Sequence, residues 1–466
     1  MKMFFKNKKL NQYSLFTFLV ASILILPSIF QRGMFLDGIT YAAISKNLAN
    51  NIGTPFRLIY TQTIFNPFYE HPPFVFWLQS LFFKVFGSSF LIEKFYSLLS
   101  GLFIGWGIIL IWNVFFENKK HNWVVIFIWI TIPTLFWAYT NNILENSVSV
   151  FSIFAVYFLI QFIKTEKYKF LISGGIFIII SFLCKGFIGL FPLVTPLLYV
   201  VLFPKELKNK LVINIKLLMI FTFISFVLLS FFPDLKQNLI NYFDSQLIPS
   251  LLGKREVTVY NRFKIIIDLI IELTFPILVL VVSFFTSKKR NFPYKKESLF
   301  FFLIGISASL PLIISMKQRK FYLVPSFPFY IIGFCLLILP LLEPKLNDLY
   351  NKRKKLIVYI NIFLLISTLV IVLSFDGYLR DKNQIQDIQK IVSILEEGEI
   401  ISTSKIFDKD WQTVAYFSRE KYVSLTNKKG QKFYLKRKNE VLDKDIEGSF
   451  IEINLNLVEY NLYKQK

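Results

Sequence analysis

Apolar runs of about twenty residues recur along most of this chain, and short basic tracts separate them. The runs at 14–30, 91–116, 143–163, 211–232, 263–285 and 356–375 are clear cases. A segment of that length spans the hydrocarbon of a bilayer as a helix, which satisfies its own backbone N–H and C=O groups where water is absent. With 54% hydrophobic residues in 466, the chain is too apolar for a soluble globule, and a polytopic all-α membrane body follows.

The basic tracts set its orientation. The net charge of +23 comes from 53 Lys and Arg against 30 Asp and Glu. These cations lie between apolar runs rather than along one folded face, so nucleic acid is excluded as a partner. With Lys2, Lys6, Lys8 and Lys9 inside and 14–30 retained as the first helix, about eleven spans alternate across the membrane. The tracts at 117–120, 164–169, 205–210, 288–296 and 345–355 then all face inward. This ledger requires 72–86 to lie in the interface, because crossing there would invert every later tract. Cys184 and Cys335 are the only cysteines, both in apolar runs, so neither disulfides nor thiolate metal sites are expected.

The composition changes at 377. Residues 1–376 form the transmembrane domain, and 377–466, charged and polar, read as a small α/β domain on the outer side. A helical pattern at 385–395 precedes β-prone stretches at 399–403, 422–425, 432–435 and 450–455. A lid or docking module is the plain reading of this domain, which carries no catalytic motif.

The first outer loop, 35–78, carries the chemistry. Asp37 follows the first helix, 38–50 has the pattern of an interfacial amphipathic helix, and Glu70-His71-Pro72-Pro73 leads into an aromatic run. The prolines fix the backbone direction after Glu70 and His71. On the derived topology Lys46, Lys94, Glu145, Lys185, Lys317, Arg319 and Lys320 join them at the outer level. Ionisable groups near hydrocarbon persist where they face a cavity or a partner. Bland alternatives stand beside this reading. Lys46 and Lys94 suit snorkelling to headgroups, Glu145 and Asp37 suit helix caps, and 317–320 suits a solvated loop. Carboxylates gathered with cations are equipped for a base and a phosphate clamp, which fits sugar transfer from a phosphorylated carrier lipid.

The motifs also resemble a family. Asp37 with Tyr41, Glu70-His71-Pro72-Pro73 before Trp77-Leu78, Glu145, Leu183-Cys184-Lys185-Gly186 and Tyr322-Leu323-Val324-Pro325 are similar to those of the GT-C glycosyltransferases. The group in question comprises the protein O-mannosyltransferases and aminoarabinose (lipid A) transferases, and the resemblance covers roughly 14–345. It implies a polyprenyl-phosphate-linked sugar donor, a lipid, glycan or protein acceptor, and inverting transfer at the outer face of a bacterial inner membrane. It also implies Asp37 as the base, Glu70 as the second acid of the catalytic pair in the acceptor or structural part of the site, and Lys185 with Arg319 and Lys320 as phosphate ligands. Tyr41, Lys46, His71, Lys94, Glu145, Lys317 and Tyr322 complete the expected substrate-binding set.

The chain departs from the aminoarabinose transferases at Gly38, where they carry Glu, at Thr40, where they carry Arg, and at His71, where they carry Lys. His71 brings the motif nearer the His-Pro-Pro of protein mannosyltransferases. With His71 and His121 the only histidines, no catalytic metal and no cofactor are expected. The rival reading is a transporter or flippase of lipid-linked intermediates, which would place its charges near the bilayer midplane and repeat its halves.

Overall fold

The computed structural model describes residues 12–466 except 117–118, 205–209, 255–256, 289 and 443. Lys2, Lys6, Lys8 and Lys9, with Lys205 and Lys208, lie outside the described residues. The described residues form a helical membrane body capped at one end by a small sheet domain, and the protein is an integral membrane protein.

The body opens with α1 (Gln12–Phe30), α2 (Leu36–Ala49), α3 (Phe74–Phe86) and α4 (Leu91–Phe115). It continues through α5 (Asn122–Ile130), α6 (Pro133–Ala138), α7 (Leu144–Thr165), α8 (Tyr168–Lys185) and α9 (Thr195–Leu202). Next come α10 (Lys210–Phe231), α11 (Pro233–Tyr242), α12 (Ile248–Leu251), α13 (Lys264–Glu272) and α14 (Thr274–Thr286), then α15 (Lys295–Ser309), α16 (Phe327–Lys352) and α17 (Lys354–Ser374). Among the described residues eight stretches are long and apolar enough to cross a membrane, nine if the bent pair α13 and α14 is one span.

The difference from the expected eleven lies in two places. Before Pro133 the 123–140 run breaks into α5 and α6, because proline lacks the N–H that would continue the helix. The runs at 170–183 and 187–203 count together as one apolar stretch by length, yet the chain reverses between them, so they remain the two segments the sequence divides. A Cβ on Gly189 would lie 2.3 Å from the Ser181 backbone, whereas eight residues of continuous helix would separate them by about 12 Å. Gly186, at φ +78°, makes the reversal. α3, thirteen residues long, falls short of a span.

The first and last helices of the body run side by side in the same direction. The Asn361 side chain donates to the Gln12 carbonyl at their start (2.9 Å), and Leu379 N donates to the Arg32 carbonyl at their end (2.7 Å). The segment after α1 and the terminal domain therefore share one end of the body.

That terminal domain contains α18 (Lys382–Ser393), α19 (Trp411–Lys421), α20 (Lys444–Ser449) and strands β1 (Ile400–Thr403), β2 (Ser424–Thr426), β3 (Phe433–Arg437), β4 (Phe450–Ile453) and β5 (Tyr460–Gln465). The sheet order is β2-β1-β3-β5-β4. β1 is parallel to β2 and β3, and β5 is antiparallel to β3 and β4. Parallel pairing of β1 with β2 needs a crossover, and α19 supplies it. The sequence pattern anticipates α18 and the first four strands but not α19 or β5.

α2 corrects one expectation. It is helical, yet it is not an interfacial helix with a wet polar face, since Ser45 and Asn47 are as buried as Ile39 and Ile44. α3 packs against one side of it and α19 against another. Ile44, Tyr60, Phe68 and Phe76 thus belong to the same apolar core as Ile388, Phe417 and Leu425 of the terminal domain.

Candidate active site

Backbone packing at the domain end of the body brings distant acids and cations together. Asp37 sits on the first turn of α2, Glu145 on the first turn of α7, and Lys185 closes α8. Adjacent asparagines hold the start of α2. Asn141 Oδ1 accepts from Phe35 N (2.7 Å), while the Asn142 amide donates to the Gly38 carbonyl (3.0 Å) and pairs with Gln79. A Cβ at position 38 would lie 2.0 Å from the Asn141 carbonyl oxygen. Gly38 is therefore required by this close approach, which accounts for one departure from the aminoarabinose transferase pattern.

The third contributor is the 315–320 loop. Gln318 turns into the protein, where its side chain donates to the Arg262 carbonyl (2.7 Å) and accepts from Ile265 N (3.2 Å). The backbone is extended at Arg319, and alternate side chains of an extended segment face the same way. Lys317 and Arg319 accordingly act together on the Asp37 carboxylate, along with Lys185. Lys320 faces away and pairs with Glu272 at 3.9 Å.

A cavity of about 590 Å³ opens beside these groups. Glu70, His71, Lys185, Lys317, Tyr322, Tyr242 and Gln246 supply its polar and aromatic lining, while Phe187, Ile188, Leu190, Phe191 and Leu312 make an apolar wall. Glu145 bonds to Lys185 from behind, and the Lys185 ammonium lies 4.7 Å from the Tyr322 ring centroid. Tyr41 Oη contacts His71 Nε2 at 3.1 Å, and Gln246 Nε2 donates to Glu70 Oε1 at 2.9 Å. Asp37 does not itself line the cavity but is joined to it electrostatically through Lys185 and Lys317.

Burial raises the Asp37 carboxyl above the ordinary aspartate range, and the three cations offset part of that rise. Among the described residues no hydrogen bond holds this carboxylate, so its proton-accepting oxygens are not committed to a helix cap. Burial likewise drives the Tyr41 hydroxyl well up, reinforced by Asp37, Glu145 and Glu70. Tyr41 is thereby a neutral hydrogen-bonding group.

Residues 70–231 match the family model described as dolichyl-phosphate-mannose-protein mannosyltransferase. No curated protein sequence matches the chain significantly. Its structure is similar to ArnT from Cupriavidus metallidurans, solved bound to undecaprenyl phosphate, over 96% of this chain and 97% of that one, with TM-score 0.68 and 13% identity. The apo state of the same protein gives a TM-score of 0.64. The archaeal oligosaccharyltransferase AglB from Archaeoglobus fulgidus, solved with an inhibitory peptide and a dolichol-phosphate, is similar over 91% of this chain and 69% of that one, with TM-score 0.52 and 11% identity.

The fold is GT-C. The matched family description names a transferase that uses a lipid-phosphate sugar, and none of these similar proteins is a transporter.

Within this GT-C frame Lys46, Lys94 and Lys320 are engaged away from the cavity. Lys46 donates to the Arg419 and Glu420 carbonyls (2.9 and 2.7 Å), so it fastens α2 to the terminal domain. Lys94 donates to the Ser28 and Gln31 carbonyls (2.6 and 2.5 Å), closing the carboxyl end of α1, where a cation is favoured. Lys320 belongs to the Glu272 pair. Glu70, His71, Lys185, Lys317 and Tyr322 line the cavity, while Tyr41 contacts His71, Glu145 bonds to Lys185, and Asp37 and Arg319 are coupled to the group electrostatically.

Sequence reasoning missed Tyr242, Gln246 and Ser250, which come from the polar stretch after α10. The signal was present in its composition, since 233–252 has helical periodicity and carries polar groups just beyond a span. Among the described residues no group of three His, Cys, Asp or Glu side chains is arranged to hold a metal ion.

Proposed function

We propose that this protein is an inverting glycosyltransferase that moves a sugar from a polyprenyl-phosphate donor to an acceptor hydroxyl. The donor prenyl chain lies along the apolar wall of the cavity and enters from the bilayer. Its phosphate meets Lys185 and Lys317, with Arg319 adding charge in a site of low dielectric. Asp37 takes the acceptor hydroxyl proton as that oxygen bonds to the anomeric carbon, opposite the phosphate. The bond from the anomeric carbon to the phosphate oxygen breaks, its electron pair stays on the phosphate, and polyprenyl phosphate departs. Glu70 and His71 orient the acceptor, with Tyr41 holding His71. The charge bias of the basic tracts supports a cavity and terminal domain on the outer face of the plasma membrane.

One observation carries this reading: a partly buried aspartate, with no hydrogen bond among the described residues, lies in the field of three cations, two of which line a cavity that is apolar on its other side. The test is transfer by the purified protein in liposomes, supplied with polyprenyl-phosphate sugars and read as release of polyprenyl phosphate. The reading predicts release that depends on Asp37. Release at the wild-type rate from an Asp37→Asn protein would sink it.

A further inference from the structure

A second cavity, of about 440 Å³, backs onto the first, and the two share Glu70 and Gln246. The partition between them is thus the 2.9 Å hydrogen bond from Gln246 Nε2 to Glu70 Oε1. The two sides differ in chemistry. The first has Lys185 and Lys317 in its lining, whereas the second has Asp244 and Glu70 and, among the described residues, neither Lys nor Arg. Phe65, Tyr69 and Asn241 complete its working surface.

The local structure aims these groups. α11 runs into a π-helical turn, Phe243–Leu247, and such turns are rare and recur at functional positions. Asn241 and Asp244, three apart, share a helix face. Gln246 is nine-tenths buried, and its Oε1 has no hydrogen-bond partner among the described residues. A buried acceptor in that state carries a desolvation cost that an arriving hydroxyl relieves. Phe65 is held by stacking on Trp411 of the terminal domain, ring centroids 5.9 Å apart and planes at 20°.

We infer that this second cavity is the acceptor vestibule, and that it takes the sugar of a neutral or cationic glycan rather than a phosphorylated headgroup. Aromatic faces suit the C–H side of a pyranose, because the ring quadrupole is negative over its face. Amide and carboxylate groups answer the hydroxyls. Two carboxylates repel a phosphate, so the acidic vestibule rejects anions that the basic donor cavity accepts. When the acceptor hydroxyl replaces Gln246 at Glu70, the partition opens and that hydroxyl reaches the donor cavity. This inference rests on the glycosyltransferase reading and names its acceptor.

Binding to the full-length protein in nanodiscs tests it without requiring turnover. The probes are octyl maltoside, octyl glucosaminide, octyl glucoside 6-phosphate, a serine-containing peptide and undecaprenyl phosphate. The expected result is binding of the two unphosphorylated glycosides in preference to the phosphorylated one and the peptide. Asp244→Lys should weaken octyl glucosaminide about tenfold or more, with undecaprenyl phosphate binding as in wild type. Phe65→Ala should weaken both unphosphorylated glycosides, and retained undecaprenyl phosphate binding would show that each variant is folded. Preference for the phosphorylated glycoside or the peptide, or indifference of glycoside binding to both substitutions, would overturn the vestibule. Loss of undecaprenyl phosphate binding by the wild type would instead overturn the donor reading, while the glycoside measurements still decide the vestibule.

Discussion

Two groups of cations flank α2, and they do opposite things. On the cavity side Lys185 and Lys317 line an open hollow and, with Arg319, act on the Asp37 carboxylate. On the other side Lys46 and Lys94 each donate to two backbone carbonyls, and Arg419 forks onto Glu93 (3.1 and 2.9 Å) while donating to the Ser88 and Ser89 carbonyls. A buried cation held by several fixed protein acceptors is a fastening. One beside a hollow, paired with a carboxylate and an aromatic face, keeps its field available to a ligand. The seam formed by the second group also supports the first, since the loop that ends in Glu70 is bonded to the terminal domain through Gln62 and Thr63.

The contrast breaks most sharply at Asp37. Asp37→Asn should reduce kcat by about 10²–10⁴-fold with unchanged thermal stability, as expected of a lost general base. A stability loss matching the activity loss would make Asp37 structural instead. Arg419→Ala should do the reverse. It strands Glu93 in the seam at a cost of about 3–5 kcal/mol, read in the unfolding midpoint, with donor phosphate affinity retained by molecules that stay folded.

Lys185→Ala and Lys317→Ala should raise the donor KM about tenfold or more and leave acceptor KM unchanged. They should also move the acid limb of the pH profile. Burial sets that limb above the usual carboxylate range, and each cation removed raises the Asp37 carboxyl further, so the limb shifts to higher pH. An unmoved limb would show that another group titrates.

The seam has its own pH signature. Burial, with Arg419 nearby, lowers the Lys46 ammonium to about 8 from 10.5. Between those values the unfolded chain holds the extra proton, so the seam should gain stability as pH rises from about 8 toward 10.5. Lys46→Met should flatten that slope in a thermal unfolding series. The smallest effect belongs to Lys320→Ala. Lys320 is half-exposed, its contact with the buried Glu272 is long at 3.9 Å, and Glu272 keeps the Thr134 N–H, so donor KM should not change. A raised donor KM there would return Lys320 to the clamp.

Much of the site was readable along the chain, for reasons that differ by residue. Asp37 and the Glu70-His71-Pro72-Pro73 stretch stand out because ionisable groups and rigid turns at the ends of apolar runs are local signals. Lys46 and Lys94 carry the same local signal as Lys185, and nothing in their neighbours along the chain separates them. Their partners, the carbonyls at 419–420 and at 28 and 31, are far away in sequence. Gln246 escaped for the converse reason, since a neutral amide in a polar stretch looks ordinary until Glu70 is opposite it.

By itself the sequence determined the membrane body, the shared end of the charged groups and the small sheet domain, because hydropathy, charge bias and strand periodicity are written over consecutive residues. The tertiary structure alone decided which lysines are fastened and which face the cavity, why position 38 must be glycine, and where the body reverses at Gly186. Those outcomes depend on carbonyls, carboxylates and backbone brought close by packing, and a linear pattern holds no record of such distances.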